Sequence, residues 1–372
     1  MKISVISNFA SSLLNFRGPL LIEMVRRGHK VLAFAPDHDD ATRAWLRDRG
    51  IVPVDFDLQR TGLNPLRDIT SMAQLRLLFR QYRPDVVFGY NIKPVIYGTM
   101  AAWLAGVPRR YAMITGLGFV FINKARLRMR KALLQRGVSA LYGFALSKAN
   151  KTIFFNPDDR AEFIERGLVS PLRAVLLGGT GLDLDEWNYT PPLAQTSITF
   201  IMVGRLLRDK GVEEYVEAAK ALRPHYPRAR FLLVGGHDEN PTAIPLAEVR
   251  SWVDAGVIEW SGHVPVRPWL AQASVFVLPS YREGVPRSTQ EAMAIGLPVV
   301  TTDVPGCRET VVEGKNGFLV PVRNSARLAQ AMRHFLDHPD SIVPMGLESR
   351  RLAEERFDVH VQNRKLLDFM GL

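Results

Sequence analysis

Short, nearly all-apolar runs recur along this chain, each too short to be a buried helix and each bounded by turn residues. In the first half they are Lys2–Ser7, the VLAFA that follows Lys30, the VVFGY that follows Pro84-Asp85, Arg110–Ile114 and Lys151–Phe155. Helical stretches separate them: Asn15–Arg27, closed by Gly28, and Lys93–Ala105, closed by Gly106-Val107-Pro108. Strands that read as continuous apolar runs, rather than alternating ones, are buried on both faces. They predict a parallel sheet with helices on either side. The same grammar restarts at Ser197, with strands at Ile198–Val203, Arg230–Val234, Ser274–Leu278 and Pro298–Thr301. Val212–Leu222 and a stretch opening at Gln290–Ala294 are its helices. The expectation is therefore an α/β chain of two doubly wound domains, joined within 176–196. Residues 1–180 form the first domain and 181–345 the second. A tail, 346–372, is helical over Ser349–Met370 and would dock back on the first domain. Ligands of such sheets sit beyond the C-terminal strand ends, which places the expected site in a cleft between the domains.

Composition narrows the partners. The chain has 372 residues and a net charge of +11, which suits phosphorylated substrates, anionic lipid or nucleic acid. Nucleic acid is disfavoured, because no recognisable module and no interleaving of aromatic with basic residues is present. The single cysteine, Cys307, excludes an intrachain disulfide and a clustered thiolate zinc site. MKISVISNF reads as a first strand rather than a leader. The longest nearly apolar stretch, Pro94–Pro108, is too short for a spanning helix, so any membrane contact is expected to be peripheral.

Three segments of the second domain carry chemistry. In VGRLLRDKG a strand ends, Gly204 permits a tight turn, and Arg205 and Lys210 precede a helix. Close backbone approach, positive charge and a helix N-terminus are what a phosphate group needs. The glycine spacing is neither that of a dinucleotide fingerprint nor that of a P-loop. In SYREGVPRSTQE, Glu283 stands at a strand exit and Glu291 at or inside the next helix. The two can clamp hydroxyls of one ligand from different sides, but acid–base work, a metal pair and plain surface glutamates also fit the spacing. In TTDVPGCRETVV, Pro305-Gly306 can bring backbone amides to an anion, with Glu309 beside them. Cys307 lacks a histidine partner and fits loop packing better than nucleophilic catalysis.

First-domain strand exits are polar but individually unspecific. They offer Asn8, Asn15 and Arg17 after the first strand, the loop Arg60–Pro65, and Tyr90, Asn91 and Lys93 after VVF. Thr115, Gly116 and Gly118 follow Ile114, and Asn156 follows IFF. KARLRMRK, at 124–131, has five basic residues among eight: Lys124, Arg126, Arg128, Arg130 and Lys131. A basic helix there suits anionic lipid or a lipid diphosphate, and equally an ordinary solvated face.

Taken in order, VGRLLRDKG, GHV at 262–264, SYREGVPRSTQEAMAIGLPVV and PGCRETVVEGKNGFLV resemble the donor site of the large family of retaining, nucleotide-sugar-dependent glycosyltransferases with the GT-B fold. The resemblance spans nearly the whole chain. It implies two Rossmann-like domains facing an interdomain cleft, with an acceptor-binding first domain and a donor-binding second domain. By that resemblance Arg205, Lys210 and Glu283 are the catalytic residues. Arg205 and Lys210 hold the donor diphosphate, Glu283 binds the donor sugar, and Glu291 binds the ribose. Gly204, His263, Val264, Gly306, Cys307, Arg308, Glu309 and Thr310 complete the nucleotide-sugar contacts. No metal and no cofactor is implied beyond the donor itself, a UDP-sugar, because cationic side chains and a helix dipole serve instead.

The first half is similar to a narrower bacterial branch that extends undecaprenyl-diphosphate-linked saccharides, N-acetylgalactosaminyltransferases among them. LNFRGPLLIEM, RTGLNPLRD, GYNIKPVIYG, AGVPRRYAMITGLGFVF and FFNPDDR carry this similarity. It implies α-transfer of a hexose or N-acetylhexosamine to a lipid-diphosphate saccharide in cell-surface glycan synthesis. The enzyme would be peripheral on the cytoplasmic face of the membrane, with 124–131 as its lipid or diphosphate element. A soluble acceptor, or nucleotide-sugar epimerisation, are the alternatives. Many broader members carry a first-domain histidine near the transferred sugar. This chain has none between His38 and His225, and TGLG occupies the corresponding region.

Overall fold

A computed structural model describes residues 1–59, 65–116, 129–191, 197–238, 240 and 242–372. Its contacts divide the chain into two units, Met1–Gly179 with His360–Leu372, and Thr180–Val359.

In the first unit the strands are Lys2–Ile6 (β1), Lys30–Ala35 (β2), Val52–Asp55 (β3), Val86–Tyr90 (β4), Arg109–Ile114 (β5), Lys151–Phe154 (β6) and Ala174–Leu176 (β7). Helices intervene at Ser11–Arg26 (α1), Asp40–Arg47 (α2), Pro65–Tyr82 (α3), Thr99–Leu104 (α4), Met129–Ser147 (α5) and Pro157–Glu165 (α6). A π-helical turn, Pro94–Gly98, leads into α4. The sheet order is β3-β2-β1-β4-β5-β6-β7, parallel throughout. Strand side chains alternate between faces, so each strand feeds two cores. Ile6, Phe34, Val54 and Val87 meet Leu75 and Phe79 of α3 and Ala101 of α4. On that same face Ala112, Ile114 and Phe154 meet Tyr142 and Leu146 of α5 and Phe163 of α6. The opposite face carries the chain's end, where the Tyr111 hydroxyl donates to the Met370 carbonyl at 2.7 Å.

The second unit holds Thr199–Val203 (β8), Arg230–Val234 (β9), Glu259–Trp260 (β10), Val275–Leu278 (β11), Val299–Thr302 (β12) and Gly317–Val320 (β13). They form a second all-parallel sheet, ordered β10-β9-β8-β11-β12-β13. Its helices include Val212–Leu222 (α7), Leu246–Asp254 (α8), Arg267–Leu270 (α9), Arg287–Ile295 (α10), Ser325–Asp337 (α11) and Ile342–Arg356 (α12). Val359–Met370 (α13) is the last helix and runs into the first unit. Both sheets are doubly wound, with strand order reversing between β1 and β4 and between β8 and β11, as the apolar runs predicted.

The expected helix over 349–370 is two helices, α12 and α13. The break is tertiary in origin. Leu182 donates to the Phe357 carbonyl at 2.7 Å and accepts from the Val359 amide at 2.9 Å, so strand-like pairing interrupts a continuous apolar period. Among the described residues no helix is long and apolar enough to cross a membrane.

Candidate active site

In the second unit the chemistry-bearing segments follow β8, β9, β10, β11 and β12, and parallel pairing brings all five exits to one edge of the sheet. The switch in strand order falls between β8 and β11, where the loops on either side diverge and leave a crevice. Lys210 follows β8 and Glu283 follows β11. Across that switch the Lys210 ammonium and a Glu283 carboxylate oxygen form an ion pair, each side chain less than one-fifth exposed. The same oxygen accepts from the Ser280 hydroxyl at 2.8 Å.

Backbone bonds hold the pair in register. The Asp209 carbonyl accepts from the Tyr281 amide at 2.8 Å and from the Ser280 hydroxyl at 3.1 Å. The Tyr281 hydroxyl donates to Glu214, in the first turn of α7, at 2.6 Å, and burial with that carboxylate raises its pKa to about 12. Gly211 starts α7 with φ of 77°, and a Cβ there would collide with the Pro279 carbonyl. Only glycine brings the α7 N-terminus, with its free amides, this close to the β11 exit.

The loop after β12 locks onto the same segment. The Glu283 amide donates to the Pro305 carbonyl at 3.1 Å. Gly306 has φ of 79°, and its missing Cβ is the space taken by the Glu283 and Gly284 carbonyls. Cys307 is fully buried, and burial beside Glu283 drives its thiol pKa up to about 12, so its side chain packs the loop and is no nucleophile. Arg308 bonds Asp303 at 2.8 Å. Glu309 offers its carbonyl to Arg356 at 3.2 Å. Thr310 is buried, its hydroxyl on the Cys307 carbonyl at 2.7 Å.

Glu291 lies on α10 and is 9% exposed. Burial raises its pKa, and Arg287, one turn earlier, opposes the rise through a 3.0 Å bond. Arg287 also reaches the Gly181 carbonyl at 2.9 Å. Arg205 follows Gly204, is about half exposed, and pairs with Asp238 at 2.8 Å. His263 is exposed and Val264 partly so, beside Gly235-Gly236 after β9, where the Gly235 amide bonds the Gly262 carbonyl at 2.9 Å.

Sequence reasoning overlooked Asp209, Glu214, Arg287 and Asp238. Arg287 and Glu291 stand at i,i+4, a legible signal. The partners of Asp209 and Asp238 lie on other strand exits, which spacing does not reveal.

The first unit repeats this arrangement at its own switch point. The Asn91 side-chain amide, after β4, donates to the Asn8 side-chain oxygen, after β1, at 2.7 Å. Asn91 has φ of 69°, a left-handed conformation that asparagine tolerates. Beneath them Ser7, Ser12 and Tyr90 form a buried hydroxyl chain, with links of 2.8 Å. Arg17 is buried against the Tyr90 and Phe155 rings. Lys93 pairs with buried Asp68 at 2.7 Å, and Tyr97 shares that carboxylate at 3.1 Å. Asn156 is buried and caps α6 by accepting from the Asp159 amide at 2.8 Å, so local structure already uses its side chain. Asn15 is exposed on α1, and Thr115 and Gly116 are half-buried at the β5 exit. The loop 60–64, Gly118, Lys124, Arg126 and Arg128 lie outside the described residues, while Arg130 and Lys131 fall on the backbone of α5.

Comparison with known proteins places this geometry. Residues 19–179 match a family model described as a glycosyl transferase 4-like domain, and residues 197–338 match glycosyl transferases group 1. The chain is 27% identical over 350 residues to the N,N'-diacetylbacillosaminyl-diphospho-undecaprenol alpha-1,3-N-acetylgalactosaminyltransferase of Campylobacter jejuni, covering 91% of this chain and 90% of that one. It is 25% identical over 292 residues to the UDP-Gal:alpha-D-GlcNAc-diphosphoundecaprenol alpha-1,3-galactosyltransferase of Escherichia coli, covering 74% and 72%. Among solved structures, HepE of Anabaena in complex with UDP-glucose superposes with a TM-score of 0.78 at 20% identity, over 100% of this chain and 99% of that one. Sucrose-phosphate synthase of Thermosynechococcus elongatus does so with 0.78 at 19%, over 98% and 97%. These likenesses establish the fold across both units.

Proposed function

Since the chain is a glycosyltransferase of the GT-B fold, we propose that it transfers a hexose or N-acetylhexosamine from a UDP-sugar to a lipid-diphosphate-linked saccharide, with retention, forming an α-linkage. The observation that carries this reading is the Lys210–Glu283 pair at the switch point, on loops tied together through Asp209 and beside the open N-terminus of α7. A cation, a helix N-terminus and a hydroxyl-accepting carboxylate at one crevice suit a sugar diphosphate. The two relatives whose names specify diphospho-undecaprenol acceptors, covering 91% and 74% of the chain, support the lipid-linked substrate.

In this reading Lys210 and Arg205 hold the diphosphate and stabilise the charge that develops on it as the bond to the anomeric carbon breaks. The acceptor hydroxyl oxygen bonds that carbon on the face the diphosphate leaves, and the hydroxyl proton passes to the departing phosphate oxygen. No side-chain base is needed, which fits the lack of a first-domain histidine between His38 and His225. Glu283 accepts from donor-sugar hydroxyls and Glu291 from the ribose. Gly306 to Thr310 supply backbone near the sugar–phosphate end, and His263 and Val264 border the base. Asn8, Asn91 and Lys93 line the acceptor side. The acceptor lipid brings the reaction to the cytoplasmic face of the membrane.

Incubating the protein with isoprenoid-diphosphate saccharides and a panel of UDP-sugars tests the proposal, with the anomeric configuration of the product read by NMR. An α-linked product from at least one pair is expected. A folded protein that transfers nothing, or uses only free sugars as acceptors, sinks the lipid-linked reading. A β-linked product sinks retention.

A further inference from the structure

Helix α3 is apolar on both sides. Leu75 and Phe79 enter the core, while Leu66, Ile69 and Leu77 point outward, 76%, 54% and 65% exposed. The outward set repeats at helical spacing, so it forms a stripe rather than scattered residues. The neighbouring helices continue it. Trp103 of α4 and Phe144 of α5 are both exposed and meet edge to face, 5.9 Å between ring centroids. The Lys148 ammonium lies 4.6 Å from the Trp103 ring and 5.0 Å from the Phe144 ring. All three helices pack on one face of the first sheet, so these side chains share the outer surface of a single helical layer.

The charge on this layer has one sign. Besides Asp68, the charged residues of α3 are Arg67, Arg76 and Arg80, and the sequences of α4 and α5 contain no aspartate or glutamate. The one acidic residue of α3, Asp68, is buried against Lys93, whereas Arg80 is exposed. Acidic residues return with Asp158 and Glu162 on α6. An outward apolar stripe, an aromatic pair and unopposed basic residues are what the boundary of an anionic bilayer accepts. Rings settle at the headgroup level, lysine stems lie along the apolar surface, and the charged ends reach lipid phosphates. A second copy of the chain fits less well, because a twofold contact would bring like charges face to face.

We propose that the outer surface of α3, α4 and α5, centred on Leu66, Leu77, Trp103 and Phe144, is the surface by which this protein docks on an anionic membrane. It deepens the functional reading above, from which it takes only the lipid nature of the acceptor.

Flotation with vesicles of phosphatidylcholine, with and without roughly one-third phosphatidylglycerol, tests it in the absence of donor and acceptor. The wild-type chain should bind the anionic vesicles more tightly than the neutral ones and lose much of that preference at high salt. Two independent variants, Leu66→Gln with Leu77→Gln and Trp103→Gln with Phe144→Gln, should each lower partitioning more than about tenfold. Their thermal midpoints should stay near that of the wild type, because all four side chains are exposed. Unchanged partitioning in both folded variants would overturn the proposal. So would light scattering showing a wild-type dimer that both variants dissolve. Vesicle binding that persists while no sugar is transferred would count against the functional reading and leave this surface standing.

Discussion

Replacing Lys210 with alanine removes the cation at the strand-order switch and leaves the Glu283 carboxylate with Ser280 as its remaining side-chain donor. Both members of the pair are mostly buried, so the bond is formed away from bulk water. A hydrogen bond to a charged group contributes about 1.5–3 kcal/mol. If Lys210 turns from Glu283 to a donor phosphate, its loss should weaken binding of UDP by about tenfold to 150-fold. Titration calorimetry with UDP and with uridine separates the contributions. Lys210→Ala should lose affinity for UDP and keep its affinity for uridine. Glu283→Gln should do the reverse of a simple loss: it releases Lys210, so UDP binds as well as before or better, while transfer falls because the sugar hydroxyls lose their acceptor. An alanine variant that binds UDP within about twofold of the wild type would refute the reasoning, and the ion pair would then be structural alone.

Gly306→Ala should destabilise the chain by more than about 3 kcal/mol, because a non-glycine φ and a backbone collision with Glu283 coincide. Gly314→Ala, at a similar φ of 72° but in open space, should cost only about 1 kcal/mol, and thermal melts of the pair check the contrast. Glu291 gives a pH signature. Burial raises its folded pKa above that of the unfolded chain, so its neutral form stabilises the fold below the ordinary carboxylate range, and that contribution is lost as pH rises through the folded value. Urea midpoints of the wild type should therefore fall relative to Glu291→Gln as pH rises from the carboxylate range. Parallel curves would place Glu291 in water.

Much of the architecture could be read from local pattern. Ile198–Val203, Arg230–Val234 and Ser274–Leu278 are each within one residue of the observed β8, β9 and β11, because a strand buried on both faces is written as an unbroken apolar run. α3 went unread for the opposite reason. A helix with apolar residues on its core side and its outer side shows no period, so only a loop, Arg60–Pro65, was read in this region and the helix from Pro65 to Tyr82 was not. The division between α12 and α13 was equally hidden, since Leu182 makes the break from a distance.

Strand exits, glycines and charged residues in order were enough to name Arg205, Lys210, Glu283 and Glu291 and to say that a diphosphate and hydroxyls suited them. That much is local, because turns and helix starts depend on neighbouring residues. Sequence left open whether Glu283 and Glu291 were a pair. Tertiary structure decided that Glu283 partners Lys210, seventy-three positions away, and that Glu291 partners Arg287 on its own helix. It also decided that Cys307 and Asn156 point inward. Parallel pairing across a reversed strand order joins segments remote in the chain, and no local period records which of them will meet.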